Sequence, residues 1–545
     1  GFRDVIEAAL GADMVAMAWR MPQANSAAAD TLELMGRLLY NGKAGLIDLN
    51  LVQPMKIMGA YAGYQGLHDY GSFNLIAIPV KGQKLEDTRA LLLDQMERLK
   101  KGEFDDNLLA SVINNYKVQQ YRALESNDSR ADMFVNAFIN DQKWEDVVTS
   151  LDRVSRITKD QIVAFANRYF SPESVVTVYK RQGVDSTQKK IDKPAITAIP
   201  SNREYQSQFT DIKNAKVEPI QPQFVDFKRD LTFAKTKKGL PVIYKHNTEN
   251  GLSTMVMRWE FGSSADNRYP IATDYLSYIG TKSKTLADIN KELYQLGCQT
   301  RFSVGTYNLS LIISGLDENL PKALAIAEDM MHNAKADKQA YDDVVGLYVK
   351  DREDSKKNQR ANFNALRALA QYGEYNSQLN RMSIDQMRAT DPQTLIDLIK
   401  ALPGYKHEIL YYGPRSVKDL TAIIDKQHAT PKKMAEPLKN RDYMEQTTPQ
   451  NEVWIAPYDA KNIYLVMYHN ENKSWNPDEA AVSSLFNEYF GGGMNTVVFQ
   501  ELREARGLAY SASAFYNNSP KPGHPEYGIA YIISQNDKMM DCIRT

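Results

Sequence analysis

Two stretches far apart in the chain repeat one another, and that repeat constrains the fold more than composition does. NIYLVMYH at 462–469 has the pattern of DMVAMAWR at 13–20, and EYFGGGMNTVVFQELR at 488–503 has that of LLYNGKAGLIDLNLVQ at 38–53. YGIAYIIS at 527–534 takes the place of FNLIAIPV at 73–80. In both copies an alternating strand leads into an amphipathic helix, a glycine-bearing turn, a second helix and two further strands. A more divergent copy lies between them. It opens with LTFAKTKKGLPVIYKHN, a strand pair turned at Lys238-Gly239 with Pro241 on an expected edge strand, and it closes with KHEILYYGP at 406–414. The expected class is α+β, with repeated units each built from a mostly antiparallel sheet covered by helices.

In the first copy the periodicity predicts strands at 14–19, 59–64, 73–80 and 175–179, and a short helix ahead of Met14. Helices are expected at 31–40, 46–55, 85–100, 105–125, 130–140 and 159–169. Residues 184–230 have scattered prolines and weak periodicity, the signature of an extended connector. The expected division is therefore a unit at 1–183, a linker at 184–230, a unit at 231–440 and an incomplete unit at 441–545.

At 545 residues the chain is too long for one core. With 43% apolar and 24% charged residues it has the composition of a soluble globular protein. Its 66 basic residues against 67 acidic ones give no electrostatic case for nucleic acid or an anionic membrane. No apolar run is long enough to span a bilayer. GFRDVIEAAL lacks the basic and apolar regions of a signal peptide, and NDKMMDCIRT stops inside a helical pattern, so both ends look cut and a fragment is expected. Cys298 and Cys542 lack metal-ligand spacing and are expected as buried apolar groups.

The chemistry is expected in GGGMNTVVFQELREARGLAYSASAF, residues 491–515. A glycine triplet ends one helix, a second runs through 497–505, Gly507 closes it, and an alternating strand leaves from Ala509. Arg503 in the helix's last turn and Tyr510 on the strand are the candidate site residues. By residue type alone, Glu501, Arg503, Glu504 and Arg506 fit a solvated charged face equally well, and Tyr510 a half-buried strand tyrosine. Gly491 to Gly493 form no phosphate cradle, since no Gly-Lys-Ser/Thr follows.

This stretch closely resembles the glycine-rich turn and LRE-x-RGLAYS segment of the insulinase/pitrilysin-type zinc metallopeptidases, the inverzincins. The resemblance implies a clamshell chamber built of such units in two halves, with 184–230 joining the halves and the units here standing second, third and fourth. It implies that Arg503 and Tyr510 hold substrate and stabilise the oxyanion across the chamber from zinc. The family's H-x-x-E-H motif is absent, since no two of the seven histidines lie within five positions of each other. His407-Glu408 is expected to be structural, and Asp274 is a lone carboxylate in the third unit. Zinc is thus expected in a first unit preceding Gly1, with no metal held by this chain. The implied function is the C-terminal part of a zinc endopeptidase acting on peptides or unfolded chains. Its implied partners are the peptide substrate and its own N-terminal domain, and a periplasmic location follows by analogy. The alternative is a non-catalytic partner or scaffold subunit of the same family.

Overall fold

The computed structural model describes residues 2–7, 13–182, 208–518 and 521–545. The leading unit contains β1 (Phe2–Glu7), β2 (Met14–Met21), β3 (Ile57–Gly66), β4 (Gly71–Pro79) and β5 (Val175–Gln182), in the order β1-β5-β2-β4-β3. Strict alternation along β2 buries Val15, Met17, Trp19 and Met21 on one face. Against that face pack the Ala29–Leu39, Leu85–Lys100 and Lys159–Tyr169 helices, the last closed by a Thr158/Gln161 capping box. The short helix expected before Met14 is instead β1, which runs parallel to β5. Val5 and Ile6 are β-branched and suit a strand, and β5 offers an edge for it to join.

The middle unit contains β6 (Thr232–Lys235), β7 (Pro241–His246), β8 (Leu252–Trp259), β9 (Cys298–Val304), β10 (Leu309–Leu316) and β11 (Glu408–Gly413). Their order is β6-β7-β11-β8-β10-β9. Pro241 does not lie on an edge, because β7 sits between β6 and β11. It is tolerated as the strand's first residue, where a missing N–H costs no interior ladder bond. The trailing unit has β12 (Asn462–Ser474), β13 (Ala509–Asn517) and β14 (Pro525–Gln535), in the order β12-β14-β13. The connector expected at 184–230 lies outside the described residues as far as 207. From 208 the chain forms the short helices Gln208–Asn214 and Phe227–Asp230, with a stretch free of regular structure between them.

The leading and middle units pack directly on each other. Tyr294, on the middle unit's Leu286–Gln295 helix, is buried within the leading unit's core. Its carbonyl accepts a 2.6 Å hydrogen bond from Asn115 Nδ2, and Lys291 pairs with Asp105 at 3.0 Å. Burying a ring of that size contributes about 2 to 3 kcal/mol, more than the exposed ion pair beside it.

Asp48 shows how tightly the leading unit's glycine turn is built. One oxygen of its buried carboxyl accepts from the backbone N–H groups of Asn41 (2.8 Å), Gly42 (3.2 Å) and Gly45 (3.0 Å). A Cβ on Gly45 would stand 2.6 Å from Leu39 O and 2.7 Å from that oxygen, so only glycine fits. Burial raises the carboxyl to about 6, and the backbone N–H donors around it pull against that rise without cancelling it. A folded-state value above the unfolded one favours the protonated native form. The associated stability is complete below about pH 4 and is lost as the pH climbs through 6. Asp48→Asn keeps an acceptor oxygen without the charge. The leading unit of this variant is expected to be more stable than wild type by about 2 kcal/mol at pH 7.5, with no difference near pH 4. Denaturant titrations at the two pH values measure both quantities, and an equal effect at both would refute the assignment.

Candidate functional site

The glycine triplet of the trailing unit ends the Ala480–Phe490 helix against β13. Asn487 clamps the two together, its Nδ2 donating to Tyr516 O at 2.9 Å and its Oδ1 accepting from Tyr516 N at 2.7 Å. A Cβ on Gly491 would lie 2.0 Å from Ala514 O, so the approach requires glycine. The chain then turns through Val497–Phe499 into a wide, π-type turn, Gln500–Ala505. Gly507 takes the left-handed conformation, φ 56°, and β13 begins two residues later.

Arg503 lies in the wide turn and Tyr510 at the start of the strand. The ladder steps from Ala509–Ser534 to Ser511–Ile533, so Tyr510 is the extra residue of a β-bulge. Such a bulge re-aims the side chain it carries. Tyr510 is 77% exposed, and its hydroxyl has no protein partner among the described residues. The Arg503 guanidinium stacks 4.8 Å from the Phe499 ring centre and stands 3.9 Å from the Glu504 carboxylate, with its side chain 44% exposed. Both groups keep donor capacity free for something outside the unit.

The same junction occurs in all three units with different chemistry. In the leading unit Met55 replaces Gly507, also at φ 56°, and Met58 is the bulged residue. Met55 N donates to Val52 O (3.0 Å) as Gly507 N donates to Arg503 O (3.1 Å). Lys56 N reaches Leu51 O as Leu508 N reaches Leu502 O, both at 2.8 Å. The trailing π-type turn has six residues and the leading one five. Arg503 therefore corresponds to Val52, and Tyr510 to Met58. The sequence pattern points instead to Gln53 and Tyr61, because a one-residue difference inside a turn leaves no mark on hydrophobic spacing. In the middle unit Gly297, φ 59°, donates to Tyr294 O, which puts Tyr294, buried in the leading core, at the place of Arg503.

Sequence reading missed a cavity of about 630 Å³ between the leading and middle units. The outer strands β3 and β9 contribute Tyr61, Tyr64 and Thr300 to its wall, the turn after the Ala29–Leu39 helix contributes Tyr40 and Asn41, and the Leu286–Gln295 helix contributes Asn290. Arg37 also faces it, paired with Glu33 at 2.6 Å. The only sequence signal was the abundance of tyrosine, which does not say which tyrosines converge.

The residues present do not fit zinc. Among the described residues no group of three or more His, Cys, Asp or Glu side chains is arranged to hold a metal. Asp274 accepts a hydrogen bond from the Tyr348 hydroxyl at 2.5 Å. The buried His407 and His428 bond to each other at 2.9 Å. Cys298 and Cys542 are both buried and unbridged.

The peptidase M16 inactive domain matches residues 408–543. No curated protein matches the chain. Among solved structures, a mutant of the ferredoxin protease FusC in complex with Arabidopsis ferredoxin matches all of this chain at 10% identity with a TM-score of 0.53. The periplasmic protease PqqL from Escherichia coli does so at 12% identity and a TM-score of 0.49. The chain spans 63% of the length of each. A peptidase M16 inactive domain from Pseudomonas fluorescens matches 58% of this chain over 76% of its own, at 17% identity and a TM-score of 0.48. At such identities the likeness to FusC shows the fold alone. The match places a peptidase M16 inactive domain at 408–543, and the likeness to FusC shows a shared fold over the length of the chain.

Proposed function

We propose that this chain is the substrate-holding part of a zinc-dependent endopeptidase, whose metal is held by residues outside it. Arg503 and Tyr510 act on the peptide. The observation that carries this reading is the chemistry of the repeated helix-to-strand junction. Two copies put Val52 with Met58, or a buried Tyr294, at this turn, and the trailing copy puts a guanidinium and a bulged, solvent-facing phenol there.

The guanidinium offers planar paired donors to a backbone carbonyl or a terminal carboxylate. The phenol donates one hydrogen bond, suited to an oxygen that gains negative charge as a carbonyl is attacked. Neither group is satisfied within its own unit, so neither must break a strong internal bond to reach a substrate. The tyrosine-lined cavity between the leading and middle units offers an extended peptide two outer strands to pair with, since a sheet edge presents unpaired N–H and C=O groups. The units 1–183, 231–440 and 441–545, joined by 184–230, form walls of one chamber in this reading. A periplasmic location belongs to it by family analogy.

An unstructured, fluorescently labelled peptide of about 25 residues tests the binding half directly on the 545-residue chain. Anisotropy is expected to report saturable binding, weakened at least fivefold by Tyr61→Ala and by Arg503→Ala. The chain alone is expected to leave a quenched peptide uncut. Absence of binding would favour the alternative, a scaffold or partner subunit. In a protein that also carries the metal-binding unit, Tyr510→Phe is expected to lower kcat about 10²-fold with little change in KM. A change under about twofold would remove Tyr510 from the mechanism.

A further inference from the structure

A chain of four titratable side chains lies inside the middle unit. His407 Nδ1 is 2.7 Å from Tyr405 O, and a carbonyl only accepts, so Nδ1 carries the hydrogen. The Nε2 atoms of His407 and His428 face each other at 2.9 Å. That distance holds one proton between the rings, donated by His428 to the lone pair of His407. His428 Nδ1 is 2.7 Å from Glu328 Oε1, and Glu328 Oε2 is 3.3 Å from His332 Nε2. His407, His428 and Glu328 are all buried, and Trp259 stacks on the His407 ring at 4.9 Å.

The charges follow from these contacts. Burial alone would raise Glu328, but the His332 and His428 side chains beside it outweigh burial and leave the carboxyl below its ordinary value. The carboxylate is therefore ionised and His428 is its imidazolium partner. Burial pushes His407 down to about 4, with the charge on His428 adding to the effect, so His407 stays neutral. The titratable groups facing the Nε2–Nε2 contact are His428, at the end of the Val417–Gln427 helix, and Glu328 and His332 from Leu320–Asn333. From β8 comes only the Trp259 ring, while Glu408 at the start of β11 pairs with Arg258.

His428 also begins the segment that leads to the trailing unit. Ala435 N donates to Gly404 O and Lys406 N to Ala435 O, both at 2.8 Å, so this segment lies along the residues just before His407. Further on, Asn440 Nδ2 donates to Glu260 O and Tyr307 O, and Glu445 meets the trailing unit's His524 at 2.8 Å.

We propose that the His407–His428 contact is a one-proton latch. A second proton, taken up by His407 in acid, sets two N–H groups and two positive charges nose to nose. The contact breaks and residues 428–446 loosen from the middle unit.

Hydrogen exchange of the 545-residue chain read by mass spectrometry, and corrected for the intrinsic pH dependence of exchange, tests this. Between pH 6 and pH 4, protection over 428–446 is expected to fall about tenfold or more, while β8 and β10 keep theirs. His407→Gln supplies one neutral donor and one acceptor without titrating, and it is expected to abolish the acid loss. Persistence of the loss in that variant, or a loss spread evenly over the middle unit, would overturn the latch. Should the variant not fold, nitrogen NMR of histidine-labelled wild type decides the matter. His407 is expected to be protonated on Nδ1 alone at pH 7, gaining its second proton together with the loss of protection, and any other protonation pattern at pH 7 overturns it.

Discussion

Each unit must end a helix and enter an outer strand within two or three residues, and that reversal governs where every candidate side chain lies. One left-handed residue accomplishes it: Met55, Gly297 and Gly507, with φ between 56° and 59°. Glycine adopts that conformation freely, whereas methionine does so at a cost of about 1 kcal/mol. The leading unit thus keeps the geometry even where its residue disfavours it. Bulges at Met58 and Tyr510 accompany the reversal in the leading and trailing units, whereas β9 pairs with β10 in unbroken register. The copies differ in turn length as well as in the chemistry of the side chains carried through it.

Much of this architecture was legible in the residues. The alternation of 13–20 and 462–469 located β2 and β12, the helix expected at 159–169 forms there, and Gly507 marked the reversal. Arg503 and Tyr510 were singled out by motif, and the structure brings them to one helix-to-strand junction with donors unspent. Local pattern could not reveal the extra residue in the π-type turn, so the correspondence with the leading copy slipped. Nor could it show that Tyr294 leaves its own unit's core for its neighbour's. In the sequence Tyr294 is one apolar position on an amphipathic helix, and its destination depends on a contact with residues such as Asn115, far away along the chain. Pro241 and β1 were misread for a related reason. A strand's place within its sheet is a property of its partners.

Two buried carboxyl groups meet burial in opposite ways. Asp48 is surrounded by backbone N–H groups with no cation close enough to hold its charge, and burial prevails. Glu328 is equally enclosed but has His428 and His332 against it, and there the ion pair prevails. The leading and middle units thus carry different polar devices, and acid acts on them with opposite sign. Protonation relieves the leading unit's glycine turn and strains the middle unit's histidine pair.

The Ala480–Phe490 helix shows Val482, Leu485, Phe486 and Tyr489 to water, whereas Leu32, Met35 and Leu38 on the corresponding helix of the leading unit are fully buried. The outer side of β12 is also unpaired among the described residues. An apolar face beside an open strand edge is adhesive, and its attraction strengthens on warming because hydrophobic association near room temperature is driven by entropy. With a formal net charge of only −1, the chain has little long-range repulsion to oppose that attraction. This surface therefore favours self-association in concentrated solution, and more so on warming than in the cold.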